Sequence, residues 1–216
     1  LDIDEVAAGS GNLVDIQPLT ERGGTEIFIH APGGKNLFSR ITATFDQLGL
    51  NVVDAGIITT TDNYIMDTFH VLEENGDPVS GETRLEEIRS ALLTRLDASQ
   101  AHDWRVTRRT PRTYRHFPVK THIDFKLDEI NDRTIMELIA SDRPGLLSQI
   151  GRAFSECDIN LHNAKIATLG SRAEDVYYIT DRDNRPLSDP AQLACLERAI
   201  HKYLDSDPDT GMPLFS

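Results

Sequence analysis

The strongest constraint on this 216-residue chain is that it carries the same pattern twice. A displacement of 109 residues sets Thr25-Glu26-Ile27-Phe28-Ile29 on Thr134-Ile135-Met136-Glu137-Leu138. The same displacement sets Leu37-Phe38-Ser39-Arg40-Ile41 on Leu146-Leu147-Ser148-Gln149-Ile150. Phe45 falls on Phe154, Asn51 on Asn160, Ala55 on Ala164 and Ile57 on Ile166. One residue is then lost in a turn, and at a displacement of 108 Asp67 meets Asp175 and Pro78 meets Pro186. Few of these pairs are identical, but the apolar phase holds over about seventy positions, the mark of a duplicated structural unit. Each copy must bury a modest core of its own, so two small domains are expected.

Within each copy the periodicities are those of short strands and amphipathic helices. Residues 25–30 and 134–140 are β-type runs that end in Gly/Pro turns. Leu37, Phe38, Ile41, Phe45 and Leu48 then recur at helical spacing, as do Leu146, Leu147, Ile150, Ala153, Phe154 and Cys157. Two strands follow, over 51–60 with 66–73 and over 160–168 with 175–181. A polar turn leads into a second helix over 82–96 or 189–204. This order, β-α-β-β-α, is one strand short of the split β-α-β ferredoxin-like unit. Val14-Asp15-Ile16 and Ile123-Asp124-Phe125, again 109 residues apart, supply the missing strand from upstream. The expected fold class is α+β: two permuted ferredoxin-like domains in tandem, each a four-stranded antiparallel sheet with two helices on one face. The expected layout is a leader over 1–12, domains over 13–97 and 122–205, a basic linker over 98–121 and a disordered tail over 206–216.

Charge excludes some functions. Residues 1–97 hold 17 acids against 6 bases and residues 134–216 hold 13 against 8, while 98–133 hold 8 bases against 5 acids. Two acidic blocks with a net charge of -13 overall do not present the basic face that nucleic acid requires. No stretch approaches the roughly 20 apolar residues of a membrane helix, and the mean hydropathy is -0.36. A soluble, cytoplasmic protein is expected. The first residue is Leu1 and no secretory segment follows, so the chain is expected to begin inside a longer polypeptide. Cys157 and Cys195 are the only cysteines. Both fall in helical patterns and make no disulfide framework, which favours a reducing compartment, and neither lies at metal-ligand spacing from another ligand.

Asp142-Arg143-Pro144-Gly145-Leu146-Leu147, followed by Ile159-Asn160-Leu161, resembles the signature of the amino-acid-binding ACT domains. The set Ile58-Thr59-Thr60-Thr61-Asp62, Met66-Asp67-Thr68-Phe69, Arg115-His116-Phe117-Pro118-Val119, Ala164-Lys165-Ile166-Ala167-Thr168 and Glu174-Asp175-Val176-Tyr177-Tyr178 is more specific. With residues 25–29, it resembles the C-terminal tandem ACT region of the bifunctional PII uridylyltransferase/uridylyl-removing enzyme family, over roughly residues 25–205. The resemblance implies a glutamine sensor that biases the enzyme between modifying and demodifying the PII nitrogen-signalling protein. It also implies catalytic domains outside this chain, a nucleotidyltransferase and an HD hydrolase that use Mg, and no cofactor within it. Pairing between ACT sheets belongs to the same implication.

The residues offer their own chemistry at the strand-to-helix turn. A helix start presents unpaired N–H groups and partial positive charge to a carboxylate. Gly145 permits close backbone approach, Pro144 suits a first helical turn, and Asp142 can accept from an α-ammonium. Arg143 and Leu146 complete the loop, and the family analogy adds Asn160. The plainer alternative is that Asp142 is an N-cap. The matching residues in the first copy are Gly33, Gly34, Asn36, Leu37 and Asn51, with no Asp and no Pro-Gly step. No catalytic or metal-binding residue is expected. His102-Asp103 lacks the other ligands of an HD hydrolase, Asp2-Ile3-Asp4 lacks the Gly-Ser turn of a nucleotidyltransferase, and Gly33-Gly34-Lys35 lacks the rest of a P-loop. Arg105, Arg108, Arg109, Arg112 and Arg115, with Trp104 and Tyr114 among them, read as a linker pairing with its acidic flanks. RNA binding and docking onto catalytic domains are the other readings of that segment. Two further readings of the whole chain stay open: a structural ACT dimerisation module without ligand, and a fragment with residual nucleotidyltransferase activity.

Overall fold

A computed structural model describes residues 11–20, 23–97 and 119–206. Most of the leader, most of the Arg-rich linker, the tail beyond Ser206 and the His102-Asp103 and Asp2-Ile3-Asp4 motifs lie outside these residues. The described chain forms two compact units. The first runs β1 (Leu13–Gln17), β2 (Thr25–Pro32), α1 (Leu37–Gln47), β3 (Leu50–Gly56), β4 (Tyr64–Glu73) and α2 (Glu82–Leu96). The second runs β5 (His122–Asp128), β6 (Arg133–Ser141), α3 (Leu146–Glu156), β7 (Ile159–Lys165), β8 (Thr168–Leu169), β9 (Arg172–Asp181) and α4 (Pro190–Leu204).

Each unit is an antiparallel sheet covered on one face by its two helices, an α+β architecture. In the first, β1 pairs β2, β2 pairs β4 and β4 pairs β3. In the second, β5 pairs β6, β6 pairs β9, β9 pairs β7, and the short β8 lies on the start of β9. The upstream strands therefore do take the edge beside β2 and β6, with Ile16 opposite Ile27 and Phe125 opposite Met136. Alternation along β2 turns Thr25, Ile27, Ile29 and Ala31 inward, and β4 answers with Ile65, Asp67, Phe69 and Val71. Phe45 of α1 meets Phe69 edge-on at 5.1 Å between ring centres, and Phe154 of α3 meets Tyr177 of β9 in the same way at 5.5 Å. Such pairs add to the burial of the rings themselves.

The duplication extends to irregularities. The ladder slips at Val53 between β3 and β4, and at His162 between β7 and β9, positions 109 residues apart. Expected strand ends need correction in both copies. The strand expected over 51–60 stops at Gly56, leaving Thr59 in a lone bridge to Ile65. The strand expected over 160–168 breaks at Ile166-Ala167 and resumes as β8. Local alternation cannot show where a strand leaves its partner.

Side-chain ties at the helix ends are where the copies diverge. Arg84 of α2 donates to Glu73 at 2.9 Å, to Glu87 at 2.8 Å and to the Leu48 carbonyl at 2.6 Å, joining α2 to the end of α1. Under the repeat, Leu48 and Glu87 become Cys157 and Cys195. These two are joined in a disulfide, with Cα atoms 5.9 Å apart. This corrects the reading of two unconnected cysteines: they are 38 residues apart in sequence, and only the packing of α3 on α4 brings them together.

One tie is common to both copies. Thr25, fully buried, accepts at Oγ1 from the Val79 N–H at 2.8 Å, and Thr134 accepts from the Leu187 N–H at 2.9 Å. Each threonine anchors the segment leading into the second helix. Replacing either with Val keeps shape but strands a buried N–H donor, which costs about 1–3 kcal/mol. Denaturant unfolding of Thr25→Val and Thr134→Val should show losses of that size; a loss below about 0.5 kcal/mol would mean that the N–H finds water instead.

Candidate functional site

The turn between β6 and α3 is held by the Asp142 N–H, which donates to the Ser171 carbonyl at 2.9 Å. The helix starts at Leu146 behind Gly145, which is left-handed at φ 84° and provides no side-chain cap. Asp142 is therefore not the N-cap, and Pro144 precedes the helix instead of entering its first turn. The Asp142 carboxyl accepts from the Thr168 hydroxyl, while burial pushes its pKa up. Behind it, Asp175 of β9 is 1% exposed and accepts from the Tyr177 hydroxyl at 2.8 Å and the Ala167 N–H at 3.3 Å. Burial raises the Asp175 pKa to about 7, and the Asp142 charge adds to that rise. Two carboxyl groups thus share the end of the unit at which α3 begins without a cap.

The first unit repeats the backbone with fewer groups. The helix α1 starts behind Asn36, left-handed at φ 59° and likewise without a side-chain cap. Gly33 packs so closely on the following turn that a Cβ would sit 2.8 Å from the Asn63 carbonyl oxygen. Its N–H donates to that same oxygen at 2.6 Å. Backbone packing is thus the immediate reason for glycine there, whereas Gly34 faces open space. Asp67 takes the place of Asp175 and is 2% exposed. Phe69 replaces Tyr177 and has no hydroxyl to offer, and Asp67 Oδ1 has no partner among the described residues. Burial pushes Asp67 to about 7, opposed by a hydrogen bond from the Ile58 N–H.

The other residues singled out from sequence fall elsewhere. Arg143 turns away to donate to the Tyr203 carbonyl at 2.8 Å, the Ser206 carbonyl at 3.3 Å and Gln149 at 2.9 Å. It thereby satisfies carbonyls at the end of α4. Leu37 and Leu146 are buried as core anchors. Asn160 is the second residue of β7, where its amide donates to the Asp181 carbonyl at 3.0 Å. Asp181 ends the ten-residue β9, whereas the Asp142 turn lies beside its start, so within the unit the two lie roughly 25–30 Å apart. Asn51 stands in the same relation to the 33–37 turn, opposite Leu72 near the end of β4. The structure therefore gathers Asp142, Gly145, Leu146, Thr168 and Asp175, and leaves Asn160 outside that group.

A cleft of about 1230 Å³ opens in the second unit, but at the opposite end from this turn. Its lining includes Glu129, Asp132, Asp158, Asp181, Asp183 and Asp189 against Lys126, Arg182 and Arg185. An acid-rich wall disfavours an anionic group, so the turn with its uncapped helix start is the better candidate. No group of three or more His, Cys, Asp or Glu that could hold a metal occurs among the described residues. No helix among them is long and apolar enough to cross a membrane. Asp67 and Asp175 were the residues missed from sequence. The available signal was an acid standing in the inward phase of a strand, as in Ile65-Met66-Asp67-Thr68-Phe69 and Ala173-Glu174-Asp175-Val176-Tyr177.

No family model matches the chain. Over 209 residues, 95% of its length, it is 43% identical to the bifunctional uridylyltransferase/uridylyl-removing enzyme of Stutzerimonas stutzeri. Enzymes of the same name from Pseudomonas savastanoi pv. phaseolicola and Ectopseudomonas mendocina are 42% and 43% identical over 96% and 93% of the chain. These matches cover 23%, 24% and 23% of the three enzymes, so the chain spans about a quarter of the length of the curated relatives it matches. It is homologous along nearly its whole length to one segment of that enzyme. Among solved structures, an aspartate kinase from Synechocystis overlays 86% of the chain and 28% of its own, at 16% identity and a TM-score of 0.43. An overlay that loose carries no argument.

Asp67 and Asp175 set a pH dependence whose sign is fixed. Each keeps its proton to about pH 7 when folded, whereas an unfolded aspartate loses it near pH 4. The folded chain binds more protons across that window, so these groups contribute stability at pH 4 that is lost as pH rises through 7. Burial also depresses the His162 pKa, which works the other way near pH 6, so the test compares variant with parent. Asp67→Asn and Asp175→Asn should each gain stability relative to the parent between pH 5 and 8, on the order of 2 kcal/mol. A variant-minus-parent difference that is flat with pH would show both groups ionised in the fold throughout.

Proposed function

We propose that the chain is a regulatory module of two ACT-type domains that binds a small amino acid, glutamine by family resemblance, and that it is not itself a catalyst. The observation that carries this reading is the pairing, at one turn, of an uncapped helix start with a half-buried carboxyl, Asp142, and a buried one, Asp175. A zwitterionic amino acid carries the complementary charges at the same short spacing. Its carboxylate takes the Leu147 N–H in the first turn of α3, where the Leu146 N–H already donates to the Arg143 carbonyl at 3.1 Å, and its ammonium takes Asp142. Gly145 keeps side-chain bulk away from that approach. The uncapped start of α1 offers the first unit the carboxylate half of the same arrangement.

In this reading the remaining domains of a longer enzyme perform the nucleotidyl transfer and its reversal on the PII protein in the cytoplasm. The sequence similarity to a quarter of that enzyme supports the assignment. Binding energy at the turn would reach those domains by favouring one arrangement of the units over another. The segment of the relatives that the chain matches provides the sensor, and its partners are those domains.

Calorimetric titration of the purified chain with a panel of amino acids tests the reading. Glutamine should bind, and Asp142→Ala should weaken the tighter event by about ten- to a hundredfold, the worth of one charged hydrogen bond. Asn36→Ala should change affinity by less than threefold, because a left-handed Asn without a cap bond contributes little to the first site. Unchanged glutamine binding by Asp142→Ala would reject the site, and no heat with any amino acid would favour a structural pairing module. Steady release of uridylyl groups from modified PII by the chain alone, abolished by EDTA, would contradict the absence of catalysis.

A further inference from the structure

We propose that Cys157 and Cys195 form a reversible thiol–disulfide site that governs how firmly α4 is held in the second unit. Cys157 is the residue on which α3 ends, and Cys195 lies in α4, 38 positions further along the chain. The first unit performs the same joining without sulfur. There Arg84 links Leu48, Glu73 and Glu87, whose counterparts under the repeat are Cys157, Asp181 and Cys195. Arg84 itself becomes Gln192, and all that survives of the cluster is a 3.4 Å hydrogen bond from Gln192 Nε2 to the Cys157 carbonyl. One unit thus ties its helices through charges that a reductant does not touch, and the other through a bond that a reductant breaks.

The sulfurs are placed for exchange. Cys157 is 6% exposed, but Cys195 is half-buried, and both line the 1230 Å³ cleft. Cys195 also lines a second hollow of about 720 Å³ with Glu156, Arg198 and Lys202. A thiolate of a dithiol reductant attacks the Cys195 sulfur, forming a mixed disulfide and expelling the Cys157 thiolate, which takes up a proton. The second thiol of the reductant, as thiolate, then displaces Cys195, which leaves as a thiolate and is protonated. Two electrons and two protons pass to the protein, and the reductant leaves as a disulfide.

Opening the bond leaves α4 held by its apolar face, by Lys202 and Tyr203 on Glu156 at 3.1 and 2.8 Å, and by Arg143 on the Tyr203 carbonyl. Arg143 belongs to the turn read above as the ligand site, so a looser α4 loosens an anchor of that turn. This last consequence rests on the function proposed above, whereas the thiol chemistry does not.

The test takes the whole chain, equilibrated in air or with excess dithiothreitol. Free thiols counted in denaturant should go from none to two and return to none when the reductant is removed. The second unit should melt roughly 15 °C or more lower when reduced, from the loop-closure contribution of a disulfide of this span. Amide exchange should quicken about tenfold or more over 190–204 and 142–146, with 82–96 unchanged. The double variant C157S/C195S should match the reduced chain and ignore the reductant, and C195S alone provides the same comparison if the double variant folds poorly. Two free thiols in the air-equilibrated chain, a disulfide that resists the reductant under native conditions, or reduction without faster exchange in α4 would each overturn the proposal. Glutamine affinity should fall severalfold on reduction. A chain that binds no glutamine in either state rejects the ligand reading, and the thiol and exchange results still judge the disulfide.

Discussion

The ladder between the two long strands of each unit fixes nearly everything else. β2 runs against β4, and β6 against β9, through eight consecutive residue pairs each. Side chains alternate faces, so this register decides as a block which residues enter the core. A slip of one residue would turn Ile27, Ile29 and Phe69 to solvent. It would also turn Asp67 or Asp175 out of the interior and move Thr25 away from the Val79 N–H. Core, anchoring threonine and buried acid all depend on one alignment, which the inward isoleucines enforce.

Against that common frame the two copies solve the same mechanical problems with different chemistry. The end of the second helix needs a donor for its last carbonyls. In the second unit Arg143 provides it from the strand-to-helix turn, reaching the Tyr203 carbonyl. In the first unit that turn has Gly34, and Arg40 reaches from within α1 to the carbonyl of Arg95, the counterpart of Tyr203. At the other end of the helix pair, a cluster centred on Arg84 stands where the second unit has a disulfide. The backbone demand is retained while the side chains that meet it change, as expected where a carbonyl needs any donor and not a particular one.

The buried aspartates serve the frame at a cost: each accepts a backbone N–H from the segment after the third strand, Ile58 in one copy and Ala167 in the other. An inward carboxyl flanked by Ile65 and Phe69 costs desolvation, whereas a Val or Leu there would leave the Ile58 N–H without its acceptor. Both copies keep an acid there, and in the second it feels the charge of Asp142 in the turn before the first helix. The second unit elaborates it with Asp142, Thr168 and Tyr177, which is why that copy presents the richer chemistry.

The sequence alone determined the duplication, the order of strands and helices and the upstream edge strands. Each of these is written in hydrophobic periodicity, which is local and phase-locked: the helix over 82–96 is α2 to the residue. Strand ends at Gly56 and Lys165 escaped it, because a strand stops where its partner diverges, and the partner lies elsewhere in the chain. For the candidate site, the turn at Asp142–Leu146 was legible from its Asp-Arg-Pro-Gly run. Only the tertiary structure decided that Asp142 is not a cap, that Arg143 serves α4 and that Asn160 lies at the far end of its unit. It alone brought Asp175 behind Asp142 and Cys157 against Cys195. Those pairings join residues about 33 and 38 positions apart. The first pairing follows from the β6–β9 ladder and the second from the packing of α3 on α4, long-range facts that no local pattern records.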